Sequence, residues 1–172
     1  MRYFVARDML LKQSAQSIME LPRLEKAVLH ASTKTALAHK KNILPYCIGF
    51  QLCTAQTPTL TRAKQSVASF RLKKSQVLGC KVTLRKKALS RFVHTWTTAV
   101  LPRVKDCAPA RPKGRYLSFG CETFLVFPHT EHLYEVFESC TGFQCTFVCS
   151  SNGAQVASGY NIPVVQEKSK YL

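Results

Sequence analysis

The residues of this chain that could do chemistry are five histidines, eight cysteines and nine carboxylates. The histidines (His30, His39, His94, His129, His132) show no HExxH spacing, so no pair is set to hold a metal from one helix face. A lone histidine with neither a nucleophile nor an orienting partner is far more often a surface or core residue than a base. Glu131, Glu135 and Glu138 stand at i, i+4 and i+7, the spacing of a solvated helix face and not of carboxylates converging on one bond. No cysteine pair has CxxC spacing. On a strand, Cys145 and Cys149 would sit roughly 13 Å apart at about 3.3 Å per residue, too far to share an ion. Free, mostly buried thiols in a reducing compartment are the expectation. Phosphate loops, GxGxxG and GxSxG are absent from the sequence. No catalytic residue, metal site or cofactor is therefore expected.

What the chain carries in excess is positive charge. The formal net charge is +16, and no acid falls between Glu25 and Asp106, a span that holds sixteen Lys or Arg. LTRAKQSVASFRLKKSQVLGCKVTLRKK, residues 60–87, has nine of them. Solvated faces normally mix signs, whereas a one-sign run is the footprint of an anionic partner. Nucleic acid is the first candidate and an anionic membrane surface the second. No run of eighteen apolar residues exists, so the sequence offers no spanning helix. The opening MRYFVARDMLLKQSAQSIM reads either as a mildly amphipathic transit peptide or as a structural helix.

Periodicity supplies the elements that must hold this charge in place. Residues 2–18 read as a helix that Pro22 breaks, and LEKAVLHA (24–31) as a strand with Leu24, Ala27 or Val28, and Leu29 inward. Residues 35–53 have a helical pattern that Pro45 and Gly49 would kink or delay. In the basic segment, Phe70 and Leu72 alternate with Arg71 and Lys73. After a break at Lys74–Gly79, Val82 and Leu84 alternate with Lys81, Thr83 and Arg85. This predicts a hairpin with an apolar face and a cationic face. Leu89, Phe92, Val93, Trp96 and Val100 form a helical stripe over 88–100 that would cover the apolar face, stopped by Pro102. A Pro-rich loop (106–114), strands at 115–128 and 141–151 and a helix at 131–140 follow.

The expected fold class is α+β: an antiparallel sheet with helices packed on one face, the other face open and basic, carrying Arg62, Lys64, Lys81 and Arg85. One domain is expected over 1–172, with an N-terminal helix at 2–18, a core at 19–151 and a variable tail at 152–172. An uncovered cationic sheet is one way to bind RNA.

PTLTRAKQSVASF (58–70), LGCKVTLR (78–85), the Trp-bearing helix ending AVLPRVKD (99–106), the FP at 127–128 and MELPRLEKAVLHA (19–31) resemble the universal large-subunit ribosomal protein L-five family, in order and spacing, over about residues 19–150. The resemblance implies a non-catalytic protein that binds 5S rRNA through the open sheet face and helps attach it in the central protuberance. It also implies contact with large-subunit rRNA, with neighbouring central-protuberance proteins, with peptidyl-site tRNA through one loop, and with the small-subunit head protein S-thirteen. Carried over by position, the rRNA-binding set is His30, Gln56, Thr61, Arg62, Lys64, Ser66, Phe70, Thr83 and Arg85, to which the alternation adds Lys81. The hairpin tip, Lys73, Lys74, Ser75, Gln76, Val77 and Leu78, is expected near tRNA.

His30 stands where the family has Asn, and SSNGAQVASGYNIP stands where it has a longer acidic helix, so a helix of a turn or two is expected there. These departures and the cysteine content point to a mitochondrial member, in the ribosome of the mitochondrial matrix, where the RNA is 5S rRNA or a 5S-like segment. A chloroplast or bacterial cytoplasm is the alternative. A competing function is an RNA-processing or RNA-modifying factor off the ribosome, which requires a catalytic constellation or cofactor pocket. A peripheral membrane protein would show salt-sensitive binding to vesicles; the reading favoured here is that there is no membrane partner.

Overall fold

Alternation of small apolar and polar residues organises the molecule. The computed structural model describes residues 2–12, 17, 19–37, 39–104 and 110–164. Along them run α1 (Arg2–Lys12), β1 (Leu24–Ser32), α2 (Leu44–Thr54), β2 (Thr59–Arg62), β3 (Val77–Arg85), α3 (Lys86–Thr95), α4 (Leu101–Arg103), β4 (Arg111–Lys113), β5 (Tyr116–Cys121), α5 (Tyr134–Phe137), β6 (Phe143–Cys149) and α6 (Gly153–Gly159). The strands form one sheet in the order β2-β3-β1-β6-β5-β4, with every neighbouring pair antiparallel.

Period two sends one set of residues inward from each central strand. Ala27, Leu29 and Ala31 of β1, Cys80, Val82 and Leu84 of β3, Leu117, Phe119 and Cys121 of β5, and Cys145 and Phe147 of β6 are all buried. Helices α2 and α3 pack over β3, α3 also reaches β1, and α6 lies against β5 and under α1. The expected covering stripe of Leu89, Phe92, Val93, Trp96 and Val100 is buried in full.

That covering helix does not stop at Pro102. It passes through a π-helical turn, Trp96–Val100, into α4. The hydroxyl of Thr97 donates to Val93 O (3.0 Å) and that of Thr98 to His94 O (2.7 Å), diverting backbone acceptors, while Leu101 N–H reaches back five residues to Trp96 O. Hydroxyl competition of this kind, with a proline that lacks an N–H just beyond, favours the wider turn.

Phe124 and Phe127, from the turn after β5, complete the layer. Phe124 meets Phe50, Tyr46, Phe137 and Phe143 at centroid distances of 4.7–5.9 Å, and Phe127 meets Phe92 and Trp96 at 6.1 and 6.0 Å. Tyr46 OH accepts from Thr141 N at 2.7 Å, tying α2 to the start of β6.

Several elements depart from the sequence reading. The helix expected over 35–53 starts late: two 3-10 turns, Lys34–Leu37 and Lys40–Ile43, precede α2, with Pro45 in its first turn, where a missing N–H costs nothing. The strand expected through Phe70 and Leu72 is a loop. The expected helix at 131–140 shrinks to the single turn α5, and the Pro-rich loop ends in the edge strand β4. Of the helix expected over 2–18, α1 covers Arg2–Lys12; positions 13–16 and 18 lie outside the described residues, as does Cys107. The acidic-helix replacement is α6, seven residues long, capped by Asn152 Oδ1 accepting from Ala154 N (3.1 Å).

Candidate nucleic-acid interface

The residues alternating with the core set form the uncovered face, and strand register places them in rows. One row runs Arg85, Lys26, Val148, Tyr116 across β3, β1, β6 and β5. The next is Thr83, Val28, Thr146, Ser118. The third is Thr59, Lys81, His30, Gln144, Gly120, and the fourth is Thr61, Gly79, Ser32. Arg85 stands directly beside Lys26 on the neighbouring strand, about 4.8 Å away across the sheet, and Lys81 lies four residues along β3 from Arg85, roughly 13 Å from it. The face is cationic over β3 and β1. It turns neutral and polar over β6 and β5, where Ser118 Oγ and Thr146 Oγ1 approach to 3.4 Å.

These cations are not neutralised. The ion pairs among the described residues are Lys12–Asp8, Arg103–Glu131 and Arg115–Glu25, all exposed, and none involves a cation from Lys26 through Arg91. Glu25, the acid nearest the face in sequence, is engaged by Arg115 at 3.3 Å. A cleft of about 890 Å³ continues the cationic surface past the end of β3, between Arg23, Arg85, Lys86, Lys87 and Ser150.

A long loop joins β2 to β3. Its base is closed by Ala63 N–H to Gln76 O (2.9 Å) and Ser75 N–H to Ala63 O (3.0 Å). Its tip is pinned where Val67 and Leu72 exchange backbone hydrogen bonds around a 3-10 turn, Ala68–Phe70. Arg71 closes that turn with φ of 52°, which no strand residue adopts. Phe70 is left 72% exposed there, among the exposed Lys64, Ser66, Arg71, Lys73 and Lys74. An exposed ring beside unpaired cations offers a stacking platform for a base within reach of phosphate.

The expected site residues therefore divide. His30, Thr61, Lys81, Thr83 and Arg85 share the open face by register. Arg62 is exposed beyond a bulge at the end of β2. Lys64, Ser66 and Phe70 belong to the loop, and Gln56 is exposed on the connection from α2 to β2. Of the segment expected to form the hairpin tip, Lys73 to Leu78, none lies at the tip, which is 67–72. Lys73, Lys74 and Ser75 are on its return arm. Gln76 is fixed, its Nε2 donating to Leu37 O (3.3 Å) and its Oε1 accepting from Lys73 N (3.1 Å). Val77 and Leu78 are already in β3.

Sequence reasoning passed over Lys26, Thr59, Ser118, Gln144 and Thr146. The signal was present: Lys26 is two alternations from His30, and Gln144 and Thr146 alternate with buried Phe143, Cys145 and Phe147.

The thiols supply no chemistry to this face. Burial raises Cys53 from 9.0 to about 12 and Cys140 and Cys149 to about 11, and it pushes Cys145 well above its ordinary value. They are protonated and unreactive at neutral pH. Among the described residues no group of three His, Cys, Asp or Glu could hold a metal ion, and no helix is long and apolar enough to cross a membrane.

Comparison with known proteins adds an independent line. Residues 77–168 match the model for the C-terminus of the ribosomal L5 family. Over 158 residues the chain is 34% identical to large ribosomal subunit protein uL5 of Ureaplasma urealyticum, covering 89% of this chain and 84% of that one. It is 36% identical over 153 residues to uL5 of Clostridium perfringens, covering 86% and 84%. To large ribosomal subunit protein uL5m of Prototheca wickerhamii it is 31% identical over 163 residues, covering 90% and 71%.

Proposed function

This chain belongs to the ribosomal L5 family and is a structural, non-catalytic protein of the large ribosomal subunit; from that premise we propose that its open sheet face and β2–β3 loop bind 5S rRNA or a 5S-like rRNA segment. The observation that carries the reading is the set Lys26, Lys81 and Arg85, which among the described residues have no ion pair and lie on a sheet face that no helix covers. Each lysine or arginine neutralises phosphate and releases counterions, while His30, Gln144, Thr83 and Thr61 offer hydrogen bonds to ribose and base edges. Phe70 stacks on a base at the loop tip.

Within the subunit the same reading puts the chain in the central protuberance, in contact with large-subunit rRNA, with the loop toward peptidyl-site tRNA and another surface toward the small-subunit head protein S-thirteen. Cationic contact from Lys64, Arg71, Lys73 and Lys74 is blind to sequence, which suits a surface that meets every tRNA. The likeness to uL5m and the cysteine content support the mitochondrial ribosome as the compartment. Crosslinking of the tagged protein in cells, followed by sequencing of bound RNA, tests all of this. Mitochondrial 5S or 5S-like rRNA is the expected recovery; cytosolic or plastid rRNA would move the compartment, and scattered mRNA would overturn the ribosomal contact. In vitro, about six phosphate contacts give a log–log salt slope near −5.

A further inference from the structure

The neutral end of the open face carries a feature that phosphate binding does not explain. A slot of about 530 Å³ opens where β1, β5 and β6 end, lined by His30, Ser32, Gly120, Glu122 and Gln144. Its floor is bare because Gly120 has no side chain, and no atom lies within 4 Å of where a Cβ would stand. Its rim is pinched by Gly142, whose backbone passes so close to Cys121 O that a Cβ would collide with it; this holds Glu122 beside β6. Among the described residues, His30, Ser32, Gln144 and Glu122 have no side-chain hydrogen bond or ion pair.

Glu122 is the anomaly. A carboxylate on a face built for phosphate repels the backbone it would meet, and it can only accept hydrogen bonds. RNA can bring it ribose 2′-hydroxyls, one donor each, and the amino and imino groups of bases, which can come in pairs. Guanine presents two, N1–H and the N2 amino group, side by side on its Watson–Crick edge, matching the two carboxylate oxygens. Unpaired RNA bases are read on that edge when they are splayed out of the stack. Resting on the open-face reading above, we propose that this slot takes one unpaired guanine, its Watson–Crick edge on Glu122 and the ring over Gly120, with His30, Ser32 and Gln144 left to meet its remaining polar groups.

The test uses the full chain and two labelled probes, a uridine 12-mer and the same strand with a single central guanosine. The expected result is about tenfold tighter binding of the guanosine strand, the discrimination of one good bidentate pair. Inosine in place of guanosine, lacking the N2 amino group, loses most of that preference. The readout for variants is the ratio of the two affinities, in which general effects on RNA binding cancel. Glu122→Gln and Gly120→Val should each bring it to about one. Valine is compatible with strand backbone and the space is empty, so Gly120→Val fills the slot without removing a charge. A ratio near one for the unmodified chain, or a preference that survives both substitutions, overturns the slot while leaving salt-dependent binding of the uridine strand, and hence the open-face reading, standing. Absence of salt-dependent binding to either strand overturns both.

Discussion

Strand β1 supplies both faces of the sheet, and its two sets of side chains answer to different demands. Ala27, Leu29 and Ala31 are 0–2% exposed beneath the helices, in the apolar layer. Lys26, Val28, His30 and Ser32, one residue out of phase, meet no covering layer. On the covered face volume decides, so a methyl group is felt; on the open face charge and donor pattern should decide, with volume mattering at the slot and at Gly79. A substitution should therefore disturb folding or RNA binding according to its parity, even when the two positions are adjacent in the chain.

The sharpest break of that division is Phe124→Ala. Phe124 is fully buried among four aromatic partners in the covered layer. Its loss should cost about 3–5 kcal/mol in urea unfolding, while the salt slope for RNA stays the same in the fraction that remains folded. Gly79→Ala comes next and crosses the division. Gly79 belongs by register to the open-face rows, yet its Cβ would collide with Ala31 O, and backbone cannot swing aside as a side chain can. A stability loss of about 1–3 kcal/mol is expected, with RNA affinity falling because the β1–β3 rows lose register.

Lys81→Ala with Arg85→Ala is the complementary experiment. Both side chains are exposed and unpaired, so stability should stay within about 0.5 kcal/mol. The salt slope should become shallower by about 1.4–1.8, two phosphate contacts' worth. Unfolding of the double variant would make the cations structural and remove the distinction between the faces.

pH separates the faces from the other side. The buried thiols hold their protons above 9.0, where the unfolded chain releases its own. Folded-state pKa values that are raised in this way leave stability intact below pH 9 and erode it as pH climbs beyond, by up to about 1.4 kcal/mol per pH unit for each proton involved. Urea midpoints measured from about pH 8 to about 10.5 should fall, and Cys145→Ala should flatten the fall.

The covered face was the more legible of the two in the sequence. A five-position stripe such as Leu89 to Val100 leaves one solution, and a helix covers the sheet there, although it widens to a π-turn from Trp96 that the stripe did not foretell. The parity of β1 stayed ambiguous between Ala27 and Val28 because both are small and apolar; only the layer above selects Ala27. Alternation from Phe70 to Lys73 misled because four residues are too few to distinguish a strand from a tight turn, and the positive φ of Arg71 settles it. On the open face, charge revealed the kind of partner. The neutral members, Gln144, Thr146 and Ser118, showed their outward parity in the alternation, but only register sets Gln144 in the row of Lys81, and Thr146 and Ser118 in the row next to that of Lys26.

The smallest expected effect lies at Trp96. Its ring is 2% exposed and packs on Phe92, Phe119 and Phe127 at 5.8–6.0 Å, but its indole Nε1–H is buried with no hydrogen-bond partner. An unpaired buried donor carries a desolvation cost of about 1–3 kcal/mol. Trp96→Phe removes that donor and leaves a smaller ring, so the relief opposes the cost of the space vacated. The net change should be within about 1 kcal/mol of zero, against about 3–5 kcal/mol lost for Trp96→Ala. Thermal midpoints of the two variants decide it. If Phe is as damaging as Ala, the indole N–H has a partner in solution and the covered face is not purely a matter of volume. If Phe is nearly neutral, the aromatic stack alone holds the helix over the sheet, and polar groups matter only on the open side.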